Sequence, residues 1–127
     1  MTPRTYGGAR RNGGGAHDPA VVDRVFRALS DPTRRDVLER LSAHPAPTSE
    51  LAARYDMALP SFLEHLRVLE GSGLVRSRKA GRTRTYELAP DRMKVAEDWL
   101  GRQRKLWERR FDQLDSYLMK MKEEEFK

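Results

Sequence analysis

Nine consecutive residues, Arg76, Ser77, Arg78, Lys79, Ala80, Gly81, Arg82, Thr83 and Arg84, carry five positive charges and no acid. Guanidinium and ammonium groups at that density pair with anionic oxygens, phosphates above all. A second group lies upstream, spaced for the exposed side of one helix: Ser61, Glu64, His65 and Arg67. Their side chains donate and accept hydrogen bonds, which suits recognition better than bond making. Thr48 and Ser49 form a third group. At a helix N-terminus they can donate to a phosphate alongside free backbone N–H groups, and Thr48 can equally be a plain N-cap.

Covalent chemistry has no comparable footing. The chain contains no cysteine, which excludes disulfides, thiolate metal sites and thiol nucleophiles. His17, His44 and His65 lie far apart, and none has a second ligand four residues away. Zinc and its neighbours need clustered His or Cys, so no metal and no cofactor is expected. His65 reads as a packing or phosphate-contact residue. Gly13-Gly14-Gly15 follows no strand, so it is not a phosphate-cradling loop, and no catalytic set can be named. The chain is not expected to be an enzyme.

The positive charge is focal. Arg4, Arg10 and Arg11 give the first 17 residues +3, and residues 76–84 hold +5, within a net charge of +6. A nucleic-acid surface distributes charge in this way, and a solubilising patch is the alternative. The 127 residues suffice for one domain with a modest core, since only 38% are apolar and 35% are charged. No run of 18 apolar residues is present, so no membrane span is expected. The first 17 residues lack the apolar stretch of a secretory signal, which points to the cytoplasm. With five Gly and few apolar side chains, they read as a disordered basic tail.

Local signals then lay out the elements. Asp18-Pro19 and Asp31-Pro32 each read as an N-cap followed by proline at the first helical position. Val22, Val25, Phe26 and Leu29 give the first helix its stripe, and Val37, Leu38 and Leu41 give the second. Leu51, Ala52 and Tyr55 fit a short third helix ended by Asp56 and Met57. After a turn of about three or four residues, Phe62, Leu63, Leu66 and Leu69 line a fourth helix that stops at Gly71-Ser72-Gly73. Phe62 and Leu63 are expected in the core. Residues 74–88 form a β-hairpin turning at Gly81, with Val75, Tyr86 and Leu88 inward. From Pro90 a single long helix is expected, about 50 Å in length. Met93, Ala96, Leu100, Trp107, Phe111, Leu114 and Leu118 mark its apolar positions, the later ones at near-heptad spacing. Such a helix outruns a small core and calls for a second copy of itself.

This order resembles the winged-helix ArsR/SmtB family of bacterial repressors. The resemblance is carried by Phe26-Arg27-Ala28-Leu29-Ser30-Asp31-Pro32-Thr33-Arg34-Arg35, by Ser49-Glu50-Leu51-Ala52, by His65-Leu66-Arg67-Val68-Leu69 with Gly73-Leu74-Val75, and by Gly81-Arg82 and Tyr86. It covers about residues 20–88. The helix holding Trp99, Trp107-Glu108-Arg109-Arg110 and Leu114 looks like a subgroup without metal ligands. Metal-sensing members carry cysteines after the Glu-Leu pair, where this chain has Ala52-Ala53-Arg54-Tyr55. Leu63 stands where the family usually has a small or hydroxylic residue.

The resemblance implies a mainly α fold with a β-hairpin wing. Its parts would be a basic tail at 1–17, a winged helix-turn-helix domain at 18–89 and a dimerisation helix at 90–127. The implied function is a DNA-binding transcriptional regulator, a homodimeric repressor of a near-palindromic operator and in some cases of its own promoter. Ser61, Glu64, His65 and Arg67 would enter the major groove, Arg67 reading guanine or clamping a phosphate. Glu64 would accept from cytosine or stay in solvent. Arg78, Lys79, Arg82 and Arg84 of the wing and Thr48 and Ser49 would hold the backbone. Arg34 is expected to pair with an acid. Leu100, Trp107, Phe111, Leu114 and Leu118, with Val21 and Val25 beside them, would form the dimer seam. Trp99 would either join that seam or pack on its own domain. The competing reading is a sequence-tolerant architectural nucleic-acid-binding protein. The residues do not point to any small-molecule inducer.

Overall fold

The computed structural model describes residues 18–125; the basic tail proposed for 1–17 lies outside them. Helix α1 spans Pro19–Leu29 and α2 spans Pro32–Ala43. Both start as the Asp-Pro pairs dictate. Asp18 accepts from the Ala20 N–H at 2.9 Å and Asp31 from the Arg34 N–H at 3.0 Å, so each aspartate satisfies a backbone donor that the first turn leaves open.

Three elements follow: strand β1 at Ala46–Pro47, the short helix α3 at Thr48–Ala52 and helix α4 at Leu59–Ser72. The link between α3 and α4 runs from 53 to 58, longer than expected. The third helix ends at Ala52 because the chain tightens there: Arg54 N–H donates to Leu51 and Tyr55 N–H to Ala52, both at 3.2 Å. Gly73 closes α4 with φ of 84°. Its N–H reaches the Glu70 carbonyl and the Leu74 N–H reaches Leu69, a Schellman pair that only a left-handed residue permits without strain.

Strands β2 (Val75–Ala80) and β3 (Thr83–Leu88) form the hairpin, in register from Val75↔Leu88 to Ala80↔Thr83. Gly81 takes φ of 63°, while among the described residues no non-glycine has positive φ, which is the φ pattern of a type II′ turn. Strand β1 adds to the far side of β3, so the sheet order is β1-β3-β2.

Two compact units divide after Ala96. In the first, Val25, Val37, Phe62, Leu66, Leu69, Leu74 and Val75 are fully buried, and each large side chain among them contributes about 1.5–3 kcal/mol by leaving water. Val21 and Val25, assigned to the dimer seam from sequence, belong to this core. Val25 exposes 0% of its surface and Val21 4%, so neither has area to give a partner. Ala96 is buried there as well, together with Val95.

The second unit is the remainder of helix α5, which spans Asp91–Glu125. Among its described residues, 97–125, none is buried. Leu100, Trp107, Phe111, Leu114 and Leu118 each leave more than half their surface open.

Candidate nucleic-acid interface

Helices α3 and α4 and the hairpin bring together most of the residues singled out for anion contact. The link between the helices is held by one polar cluster. Tyr55 donates to Asp36 Oδ2 at 2.5 Å, and Arg40 Nε donates to the same oxygen at 3.0 Å and to the Tyr55 hydroxyl at 3.2 Å. The Tyr55 ring stacks on Phe62 of α4 with centroids 5.2 Å apart. The Tyr55 hydrogen bond, with help from Arg40, holds the Asp36 carboxyl below its ordinary range against the opposing pull of burial. Burial and the neighbouring Asp36 push the Tyr55 phenol up.

On α4 the four candidate residues separate. Ser61, Glu64 and Arg67 are exposed, and Glu64 and Arg67 pair with each other one turn apart. That pair is largely in solvent, so it is weakly held and its arginine can exchange partners. His65 is half-buried, with Nδ1 3.0 Å from Arg34 Nη1 and 3.7 Å from Asp31 Oδ2. Phe62 is buried and Leu63 packs against the core, as expected.

Arg34 does not take the acid partner expected for its side chain. Its Nε donates to the Ala28 carbonyl at 2.9 Å and its Nη2 to Arg27 at 3.0 Å, while Arg35 donates to Leu29 at 2.8 Å. The end of α1 leaves these carbonyls without an ordinary α-helical donor, although the Ser30 N–H and hydroxyl also reach that of Arg27, and cations satisfy them well. Thr48 is likewise not an N-cap. Pro47 occupies that position, and the Thr48 hydroxyl donates to the Arg84 carbonyl of β3 at 3.2 Å. Ser49 stays exposed in the first turn of α3.

The hairpin register sorts the basic residues. Lys79 faces Arg84 across the strands and Arg78 faces Thr85, so Lys79 and Arg84 share one side and Arg78 takes the other. Arg82 sits in the turn. Arg84 donates to Ser77 Oγ at 2.8 Å, and Ser77 donates to Glu70 of α4 at 2.7 Å, so the Lys79–Arg84 side continues toward α4. Arg76 donates to Glu87 at 2.7 Å, and that bond holds the Glu87 carboxyl below its ordinary range. Arg78, Lys79 and Arg82 form no ion pair among the described residues.

Sequence reading missed β1 and the Asp36–Tyr55–Arg40 cluster. A two-residue strand containing proline has no periodicity to detect, and the cluster joins residues up to 19 positions apart. Among the described residues no three His, Cys, Asp or Glu side chains converge on a metal position, and no helix is long and apolar enough to cross a membrane.

Residues 29–78 match the family model described as a helix-turn-helix domain. The HTH-type transcriptional regulator Rv2034 of Mycobacterium tuberculosis is 43% identical over 68 residues, which cover 54% of this chain and 64% of that protein. The transcriptional repressor SdpR of Bacillus subtilis is 27% identical over 79 residues, 62% of this chain and 88% of that one. A crystal structure of the ArsR family transcriptional regulator RHA00566 superposes with a TM-score of 0.69 at 50% identity, covering 71% of this chain and 93% of the other. The homodimeric winged helix-turn-helix DNA-binding domain of Mb0332 from Mycobacterium bovis superposes with a TM-score of 0.54 at 25% identity, covering 68% and 82%. The fold is thus that of a winged helix-turn-helix regulator of transcription and not of an enzyme. The chain belongs to the ArsR family.

Proposed function

We propose that the chain is a homodimeric transcriptional repressor that holds double-stranded DNA with α4 and the hairpin wing. The observation that carries this reading is the wing itself. Lys79 and Arg84 stand side by side on the side of the ribbon that continues toward α4, and Arg82 sits in the turn beyond them. Like charges opposite each other weaken a hairpin, and a polyanion removes that penalty. Ser61 and Arg67 on the exposed side of α4 are the base-reading candidates, and Ser49 can reach a phosphate. Thr48 contributes by fixing α3 against β3.

The dimer seam proposed is Leu100, Trp107, Phe111, Leu114 and Leu118. An apolar stripe this open on one helix is stable once a second copy covers it. A relative described as homodimeric and another named as a repressor support the two halves of the proposal. Two linked recognition helices about 34 Å apart would require a near-palindromic operator.

The test is fluorescence anisotropy on the DNA upstream of the chain's own gene, beside a scrambled duplex and across a salt series. Preference of about a thousandfold, with log K linear in log salt, supports a specific repressor. Equal affinity for both duplexes excludes autorepression at that site. One observation favours the architectural alternative: Glu64 occupies the Arg67 guanidinium on the reading helix. Equal affinity for every duplex tried would establish it.

A further inference from the structure

Arg34 Nη1 lies 3.0 Å from His65 Nδ1. A guanidinium carries donors only and keeps its charge at every accessible pH. Nδ1 is therefore the acceptor, and a neutral His65 must hold its single ring proton on Nε2. Asp31 Oδ2 lies 3.7 Å from the same nitrogen, too far for a hydrogen bond. Arg34 is itself fixed, because Nε and Nη2 are bound to the Ala28 and Arg27 carbonyls. Among the described residues Nε2 has no protein partner, and the His65 side chain keeps 22% of its surface open.

We infer that Arg34 is a positioning residue for α4: it locks His65 in the Nε2–H tautomer and so makes the imidazole a hydrogen-bond donor toward an acceptor on bound DNA. The end of α1, where Arg34 is anchored, thereby sets the polarity of a side chain on the reading helix. The inference rests on the DNA-binding reading above. Phosphate oxygens and the major-groove acceptors of guanine and thymine would take the same donor.

The first test needs no DNA. Long-range ¹H–¹⁵N spectra of the full chain at about pH 8, where an ordinary histidine is neutral, are expected to show His65 protonated on Nε2. Arg34→Met is expected to give a mixture of tautomers. An Nδ1–H pattern in the unmodified chain overturns the inference.

The second test measures DNA binding, with circular dichroism confirming that each variant folds. His65→Asn lacks the distal donor and is expected to bind about tenfold more weakly. His65→Gln reaches that position and is expected to recover most of the loss. Equal affinity for His65→Asn and the unmodified chain overturns the donor role. A loss of the same size on every duplex identifies a phosphate acceptor, and a loss that comes with weaker duplex preference identifies a base edge; the salt slope stays unchanged in both, because a neutral imidazole neutralises no phosphate. A chain that binds no duplex yet shows the Nε2–H pattern overturns the DNA reading and the donor role with it, and is distinguished from failure of the tautomer.

Discussion

The Tyr55 hydroxyl donates to Asp36 Oδ2 at 2.5 Å and joins the link before α4 to the middle of α2. Removing the hydroxyl leaves Asp36 with Arg40 alone. Tyr55→Phe should cost about 1 kcal/mol of stability in urea unfolding, the usual worth of such a bond.

The same pair fixes two pH slopes. The Asp36 carboxyl lies below its ordinary 3.8 when folded, so the unfolded chain takes that proton more readily. Its contribution is complete above the unfolded value and is lost as pH falls through the folded one. The Tyr55 phenol lies above its ordinary 10.0, through burial first and Asp36 second. Its contribution is complete below that value and is lost as pH rises through the folded one. Urea midpoints against pH should therefore fall at both ends. In Tyr55→Phe both slopes should flatten.

Gly73 should resist substitution for two separable reasons. Its φ of 84° suits glycine, and a Cβ there would lie 2.5 Å from Arg92 Cγ. Gly73→Ala should destabilise by about 2 kcal/mol in urea. Adding Arg92→Ala should recover the steric share and leave the backbone share, which a double-mutant cycle separates.

Helix starts were legible because an Asp-Pro pair contains both the cap and the proline that follows it. Gly73 and Gly81 were legible for a similar reason: each supplies a backbone conformation that its neighbours cannot. Val21 and Val25 were misassigned because an apolar stripe shows that a face is covered without showing by what. Arg34 was misassigned because its carbonyl partners belong to a different helix, and a cation's partner is set by tertiary packing. At the interface, the run of basic residues was plain in the sequence. Which of them share a side was not, because that depends on the hairpin register.

That register orders the wing's contributions. Lys79→Ala and Arg84→Ala should each weaken DNA binding and lower the salt slope by about one, and Arg78→Ala, facing the other way, should do less. Lys79→Ala should leave folding stability within about 0.5 kcal/mol or improve it slightly, since it removes a like-charge cross-strand pair. Anisotropy and urea unfolding measured on the same preparations check both effects.

On α5, Phe111→Glu should convert the proposed dimer to monomer by sedimentation velocity. Helical signal should fall with it, because a lone helix this open is marginal in water. An unchanged sedimentation coefficient would remove Phe111 from the seam.

The wing is a cantilever. Its root is three strands wide, with β1 paired to β3 at Tyr86 and Thr85, and the Thr48 hydroxyl on the Arg84 carbonyl is its last fastening. Beyond that point only two strands and the Gly81–Arg82 turn continue, and a bare two-stranded ribbon has little stiffness of its own. Amide hydrogens should exchange in a gradient, slow at Tyr86 and fast near Arg82. In the proposed DNA complex a stiff root would set where the tip arrives, while a compliant tip would let Arg82 follow grooves of differing width without disturbing α4.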